Sequence, residues 1–459
     1  MKTPKVWTKP AIVTAAFILG GFAVTLAANW PGHLSYDSIL QLHQGRAGLY
    51  NNWHPPVMAW LLGLGDAVVP GAGLFVAFDT ALAFGTLALL LSLKPERTTW
   101  LTAAVALAAV LSPQFLLYQG LVWKDVLFAD SAVAGFVCLA YAASQWSAIR
   151  ARAAWLAASL LLLSLAALTR QNGAILLPFA AAALSWIATR LGAARLMAAL
   201  FGAFYLAASL VFVFAASALL NLRSDGNPGL DEQVRLLQVY DLAGAVARQP
   251  DLQLQSLRDD DPALEHLIRS KGARLYTPVR NDPLASAPEL QAELADVDPD
   301  AVGTQWRATI AEHPWLYLRV RAAAFAWVFA TPDLAACRPV FTGIEGPQRE
   351  MRDLALAPRR DARDRTLETY GKAFFGTPVF SHVFFAILAA ASTVLLLRRR
   401  RTADIAIAAM LLGAMAFTLS FFVISIACDY RYLYALDLSA LAALLYLALD
   451  AKSALRGTP

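Results

Sequence analysis

The chain has 459 residues, of which 58% are hydrophobic and 15% charged, with a mean hydropathy of +0.52. A soluble protein carries about 25% charged residues, and one core cannot hide this much apolar surface, so a water-soluble fold is excluded. The formal net charge of +5 does not point to nucleic acid, because the cations cluster between apolar stretches, as orientation in a membrane requires.

Lys2, Lys5 and Lys9 precede an apolar run at about 10–28. That run exceeds the hydrophobic region of a signal peptide and predicts an uncleaved first helix starting at the cytoplasmic face. The segment 29–73 opens polar and aromatic, then gives an apolar piece at about 57–69 ended by Pro70-Gly71-Ala72-Gly73. This piece is too short to span and fits a helix lying at the interface. Further spans are expected at about 74–93, 100–117, 126–144, 153–169, 173–188 and 196–220, with Lys94, Arg97, Arg150, Arg152, Arg190 and Arg195 in the inner turns. That distribution follows the positive-inside rule.

The composition changes at about 221–377, where acidic residues and prolines concentrate, and an extracytoplasmic, mainly helical domain is expected there. Within it, 315–331 is apolar but carries Arg319 and Arg321. A crossing there would put Arg398 to Arg401 outside, so an interfacial or re-entrant helix is preferred. Spans at about 379–397, 403–427 and 433–449 complete the set, with Lys452 and Arg456 inside. The expected fold is an all-α polytopic bundle of about ten spans, eleven if 315–331 crosses. It divides into 1–220 (helices 1–7, with the outer loop 29–73), 221–377 and 378–459. Cys138, Cys337 and Cys428 are too few and scattered for a disulfide framework or a zinc site, although Cys337 and Cys428 could pair if they share a compartment.

Ionisable residues at outward helix ends oppose the usual bias, so each needs a reason. The helix parity puts Asp37, Arg46 and His54 in the first outer loop, Lys124 and Asp125 in the second, Arg170 in the third, and Asp429 and Arg431 in the last. A sugar on a polyprenyl phosphate presents its phosphate at this depth. Lys124, Arg170 and Arg431 suit the phosphate and the charge developing on it, and Asp37 suits the proton of an acceptor hydroxyl. Tyr36, Trp53 and Tyr430 flank these groups as candidate substrate contacts. Taken singly, helix-end cations also serve as headgroup anchors, and Tyr430, Tyr432, Tyr434, Trp53 and Trp123 suit an interfacial aromatic belt. Asp79, Asp130, Asp404 and Asp437 are expected to face the bundle interior or helix ends, without chemistry.

The stretch Trp30-Pro31-Gly32-His33-Leu34-Ser35-Tyr36-Asp37-Ser38, followed by Asn52-Trp53-His54-Pro55-Pro56-Val57, resembles the first luminal loop of GT-C glycosyltransferases. That group includes protein O-mannosyltransferases and aminoarabinose-type lipid A transferases, and uncharacterised bacterial GT-C-like membrane proteins look closer still. The resemblance implies a multi-helix bundle with an extracytoplasmic domain, a polyprenyl-phosphate-linked sugar donor, and usually inversion at the sugar carbon. It places Asp37 as the loop acid, the expected base, and His54 as the histidine building the pocket floor. Mannosyltransferases carry an acidic pair in this loop, whereas Ser38 follows Asp37 here, so a partner carboxylate would come from elsewhere, with Asp125 the candidate. No cofactor is firmly implied. A histidine and two carboxylates could hold a divalent ion, but the spacing forms no metal motif.

The expectation is therefore a multi-pass glycosyltransferase of a bacterial inner membrane, active at the periplasmic face. Its partners would be membrane lipid, the lipid-linked donor and a glycan, lipid or protein acceptor. A transporter or flippase for a lipid-linked sugar is the alternative, disfavoured because the charges sit at the outer edge rather than mid-membrane. A non-enzymatic scaffold for envelope assembly is the third reading.

Overall fold

Apolar runs of spanning length become helices because a bilayer offers the backbone no other hydrogen-bond partners. The computed structural model describes residues 7–224 and 229–450. Lys2, Lys5, Lys452 and Arg456 lie outside the described residues. No strand forms among the described residues, only isolated bridges.

The first part of the chain forms α1 (Lys9–Asn29), α2 (Tyr36–Ala47), α3 (Val57–Val68), α4 (Gly73–Leu93), α5 (Trp100–Val110), α6 (Pro113–Leu116), α7 (Lys124–Ser144), α8 (Ile149–Thr169), α9 (Leu176–Arg190) and α10 (Arg195–Asn221). Nine helices among the described residues are long and apolar enough to cross a membrane. They are α1, α4, α7, α8, Gly173–Arg190, α10, His382–Arg399, Thr402–Ile424 and Tyr430–Ala448. A tenth is formed if Trp100–Val110 and Pro113–Gly120, bent by 56°, count as one span. The bend falls at Pro113, which lacks the N–H that would continue the helical ladder. The protein is thus an all-α, multi-pass membrane protein. Asp79, Asp130, Asp404 and Asp437 are all buried, at most 1% exposed.

The chain divides into two units: Met1–Asp225 with Val340–Phe417 and Arg431–Pro459, and Gly226–Pro339 with Thr418–Tyr430. In the first, α7 is the central element, its apolar window wholly buried. Helices α2 and α3 pack backbone to backbone: a Cβ on Gly45 would strike the Ala59 carbonyl and come within 2.7 Å of the Gly63 nitrogen. Arg46 is not a free outer cation. Its Nε and Nη2 both donate to Asp66 at 2.7 Å, fastening α2 to α3.

The second unit has its own core, including Tyr240, Leu242, Val246, Leu264, Val302 and Val320. The 315–331 stretch becomes the Pro314–Ala330 helix, which is not among the helices fit to span. Its Arg321 is fully buried. Nη1 donates to Asp241 at 2.9 Å, Nε to the Phe422 carbonyl at 2.9 Å, and Nη2 to the Ser425 carbonyl at 2.7 Å. Cys337 and Cys428 do pair, as a disulfide with Cα atoms 4.9 Å apart that closes a loop of 91 residues. Such a loop removes on the order of 4 kcal/mol of unfolded-state entropy. Cys337→Ser, or reduction in nanodiscs, is therefore expected to lower the melting temperature of this unit. An unchanged transition with and without reductant would remove the bridge from its stability.

Candidate functional site

The first unit brings six of the ionisable residues singled out above into one cluster. Asp37 sits in the first turn of α2, whose start is fixed by a reciprocal cap between Ser35 and Ser38. The loop before it is pinned on two sides. His33 N–H donates to the Gly120 carbonyl at 2.9 Å and Val122 N–H returns a bond to the His33 carbonyl at 3.1 Å, while Leu34 N–H donates to Gly343 at 2.9 Å. Ser38 Oγ donates to the Val122 carbonyl at 2.6 Å, and the Trp123 indole donates to Ser35 Oγ at 2.9 Å. These bonds hold Asp37 beside the start of α7, where Lys124 and Asp125 lie.

Arg431 joins the two carboxylates, with Nη2 2.7 Å from Asp37 Oδ2 and Nε 3.6 Å from Asp125 Oδ2. Arg170, at the C-terminal cap of α8, pairs with Asp125 from the other side. Lys124 Nζ donates to His54 Nδ1 at 2.9 Å, and His54 Nε2 lies 3.8 Å from Asp37 Oδ1. The lysine bond needs an unprotonated Nδ1, which leaves the ring proton on Nε2, facing Asp37. Two aromatic rings complete the cluster: Arg431 stands 4.8 Å over Trp123, and Arg170 stands 5.2 Å over Tyr432. With neutral His54, three cations face two carboxylates, leaving one positive charge in excess.

Burial pushes the Asp37 carboxyl up, but His54, Arg431 and Lys124 outweigh it and hold the group well below the usual carboxylate range. Burial, reinforced by Lys124, pulls the His54 imidazole down to about 4. A divalent cation does not fit this arrangement, since the carboxylates already face an excess of positive charge. Among the described residues no three His, Cys, Asp or Glu side chains are placed to hold a metal.

The aromatic residues singled out in the sequence fall in different environments. Tyr36 is 60% exposed and Trp53 36%. Tyr430 is fully buried, its N–H donating to the Cys337 carbonyl within the second unit. Its full burial is not that of a belt aromatic. Trp123 and Tyr434 are also buried, and the Tyr434 hydroxyl donates to the Gln114 carbonyl at 2.7 Å. The belt reading fails for all three, because their rings are buried inside the protein.

His33 was given no role by its sequence context, yet it organises the loop. It is 1% exposed; Nδ1 accepts from Gly343 N–H at 2.9 Å and Nε2 donates to Asn29 Oδ1 at 3.0 Å. Burial pulls His33 down to about 4, against the opposing pull of Asp364. His33 and His54 thus resist protonation in the fold while the unfolded chain takes up protons near pH 6.5. Their stabilisation is present above that pH and is lost as pH falls toward 4, by roughly 1.4 kcal/mol per pH unit for each histidine. Melting curves between pH 7 and 4.5 should show this slope, and His33→Gln should reduce it. An equal slope in that variant would exclude His33 as a source.

The fold and cluster define a multi-pass membrane protein with a convergent acid, imidazole and cation site at one end of its helices. No family model matches the chain, and no curated protein matches it. Among solved structures it is similar to the archaeal oligosaccharyltransferase AglB from Archaeoglobus fulgidus in complex with an inhibitory peptide and a dolichol-phosphate. That match has 14% identity and a TM-score of 0.41, over 96% of this chain and 50% of that one. The apo form of the Archaeoglobus fulgidus oligosaccharyltransferase matches at 14% identity and TM-score 0.42, over 97% and 51%. Its complex with Zn and sulfate matches at 13% and 0.40, over 96% and 53%. This chain spans about half the length of those proteins.

Proposed function

We propose that the protein is a GT-C-type glycosyltransferase that moves a sugar from a polyprenyl-phosphate donor to an extracytoplasmic acceptor. The observation that carries this reading is Arg431 bridging Asp37 and Asp125, with Lys124, His54 and Arg170 in the same network. A phosphate entering there would meet surplus positive charge. The bond from the sugar carbon to the phosphate oxygen breaks, the acceptor oxygen bonds to that carbon, and its proton passes to Asp37. Lys124, Arg170 and Arg431 would stabilise the phosphate as it leaves.

The same geometry suggests an order of events. In the resting site Asp37 is held ionised by cations and is a weak base. A donor phosphate that draws Arg431 and Lys124 onto itself would release the carboxylate and restore its basicity. The disulfide at Cys428, three residues before Arg431, supports an extracytoplasmic site, since such bonds persist in oxidising compartments. For a chain of bacterial origin that compartment is the periplasm, and the membrane the inner one.

The test uses proteoliposomes containing a labelled polyprenyl-phosphate sugar and candidate acceptors. Wild-type protein should release free polyprenyl phosphate and label the acceptor. Arg431→Gln should weaken donor capture about tenfold or more, the size of one lost charge-assisted contact. It should also raise the acid limb of the pH profile, because Asp37 loses its strongest cationic neighbour. Movement of intact donor across the vesicle without sugar release would replace transfer by transport.

A further inference from the structure

The opposite end of the first unit holds a second concentration of charge. Lys94 caps α4 and Arg97 follows it, while Arg399 ends the His382–Arg399 helix and Arg401 precedes the Thr402–Ile424 helix. Asp450 follows the Tyr434–Ala448 helix, whose other end adjoins Arg431. Four cations reach a single oxygen. Asp450 Oδ2 lies 3.0 Å from Arg97 Nη1, 3.7 Å from Lys94 Nζ and 3.8 Å from Arg399 Nη2, and it pairs with Arg401. Asp404 supplies the other carboxylate, 3.2 Å from Arg399 Nε and accepting from the Tyr446 hydroxyl at 2.7 Å.

Four positive groups against two negative ones leave an excess of two charges. One carboxylate oxygen also lacks the lone pairs to satisfy so many donors. Lys94 Nζ and all three Arg399 side-chain nitrogens are buried with no hydrogen-bond acceptor among the described residues. The Arg399 side chain is only 10% exposed. Cations that merely anchor a helix end extend into the headgroups and water. Lys94 and Arg399 are instead drawn inward, ion-paired at 3.2 to 3.8 Å with none of these nitrogens making a hydrogen bond.

We propose that this cluster is a second anion site that binds a phosphate group, carried by an acidic membrane lipid or free in solution. A phosphate offers several acceptor oxygens to the arginine fork and the lysine together. Basic pockets between spanning helices at headgroup depth are suited to acidic lipid headgroups. Burial, with Arg399 and Arg401 adding to it, pulls the Lys94 ammonium down to about 8, and a seated anion would restore it. The site shares no residue with the Asp37 cluster, so it stands or falls independently of the transferase reading.

The experiment places the full-length protein in phosphatidylcholine nanodiscs with or without phosphatidylglycerol and follows lipid retention by native mass spectrometry. Wild-type protein should retain phosphatidylglycerol about fivefold better than Arg399→Gln. Arg150→Gln, which removes an exposed cation at the start of α8, should behave as wild type. A second arm titrates inorganic phosphate into the phosphatidylcholine discs and reads melting temperature. A rise that depends on Arg399 assigns the site to free phosphate, and selective lipid retention without that rise assigns it to the lipid. Equal lipid retention and equal phosphate response in wild type and Arg399→Gln would overturn the site. If Arg399→Gln does not yield folded protein, Lys94→Gln combined with Arg97→Gln makes the same comparison.

Discussion

Asp37→Asn is expected to lower sugar transfer by roughly 10²–10⁴-fold, the usual contribution of a positioned base, while the protein folds and binds donor as before. The amide has the shape of the carboxylate, and its oxygen can still accept from Arg431 Nη2, now at 2.7 Å from Asp37. Arg431 also keeps Asp125 within 3.6 Å, so the cluster does not lose its scaffold. What disappears is the group that takes the acceptor proton. Removing one negative charge also raises the excess positive charge facing the donor phosphate. The Michaelis constant for donor should therefore stay level or fall while turnover collapses, a split that a merely structural role would not produce. Transfer persisting at the wild-type rate in Asp37→Asn would eliminate this carboxylate as the base.

The spans were legible because each is a continuous apolar run of bilayer length, and even the bend in the third is marked by Pro113. Counting helices also indicated which charged residues share an end of the bundle. Their pairing was not legible. Asp37 and Arg431 are separated by 394 positions, and nothing local in either segment specifies the other. Trp123 and Tyr432 were hidden for another reason: a belt aromatic and a platform for an arginine have the same residue type and the same place at a helix end. Only packing distinguishes them. Arg321 reads as a surface cation until Asp241, 80 positions earlier, is brought to it. The role of His33 likewise depends on Gly343, 310 positions away.

Asp125→Ala should act in the opposite sense to Asp37→Asn, through stability before chemistry. Asp125 is 2% exposed and lies between two guanidinium groups. Arg431 also pairs with Asp37, and Arg170, 7% exposed beside Tyr432 and Phe417, pairs with Asp125. Removing one partner of a buried pair leaves the other charge uncompensated, at a cost of about 3–5 kcal/mol. A marked drop in melting temperature in nanodiscs is the expected result. Asp125→Ala combined with Arg170→Leu should recover part of the loss, because the stranded cation is then gone as well, and the coupling between the two changes measures the pair. Transfer per folded molecule should fall less in the double variant than in Asp37→Asn. If Asp125→Ala left the melting temperature untouched while abolishing transfer, Asp125 would be a reacting carboxylate and not the anchor of the cations.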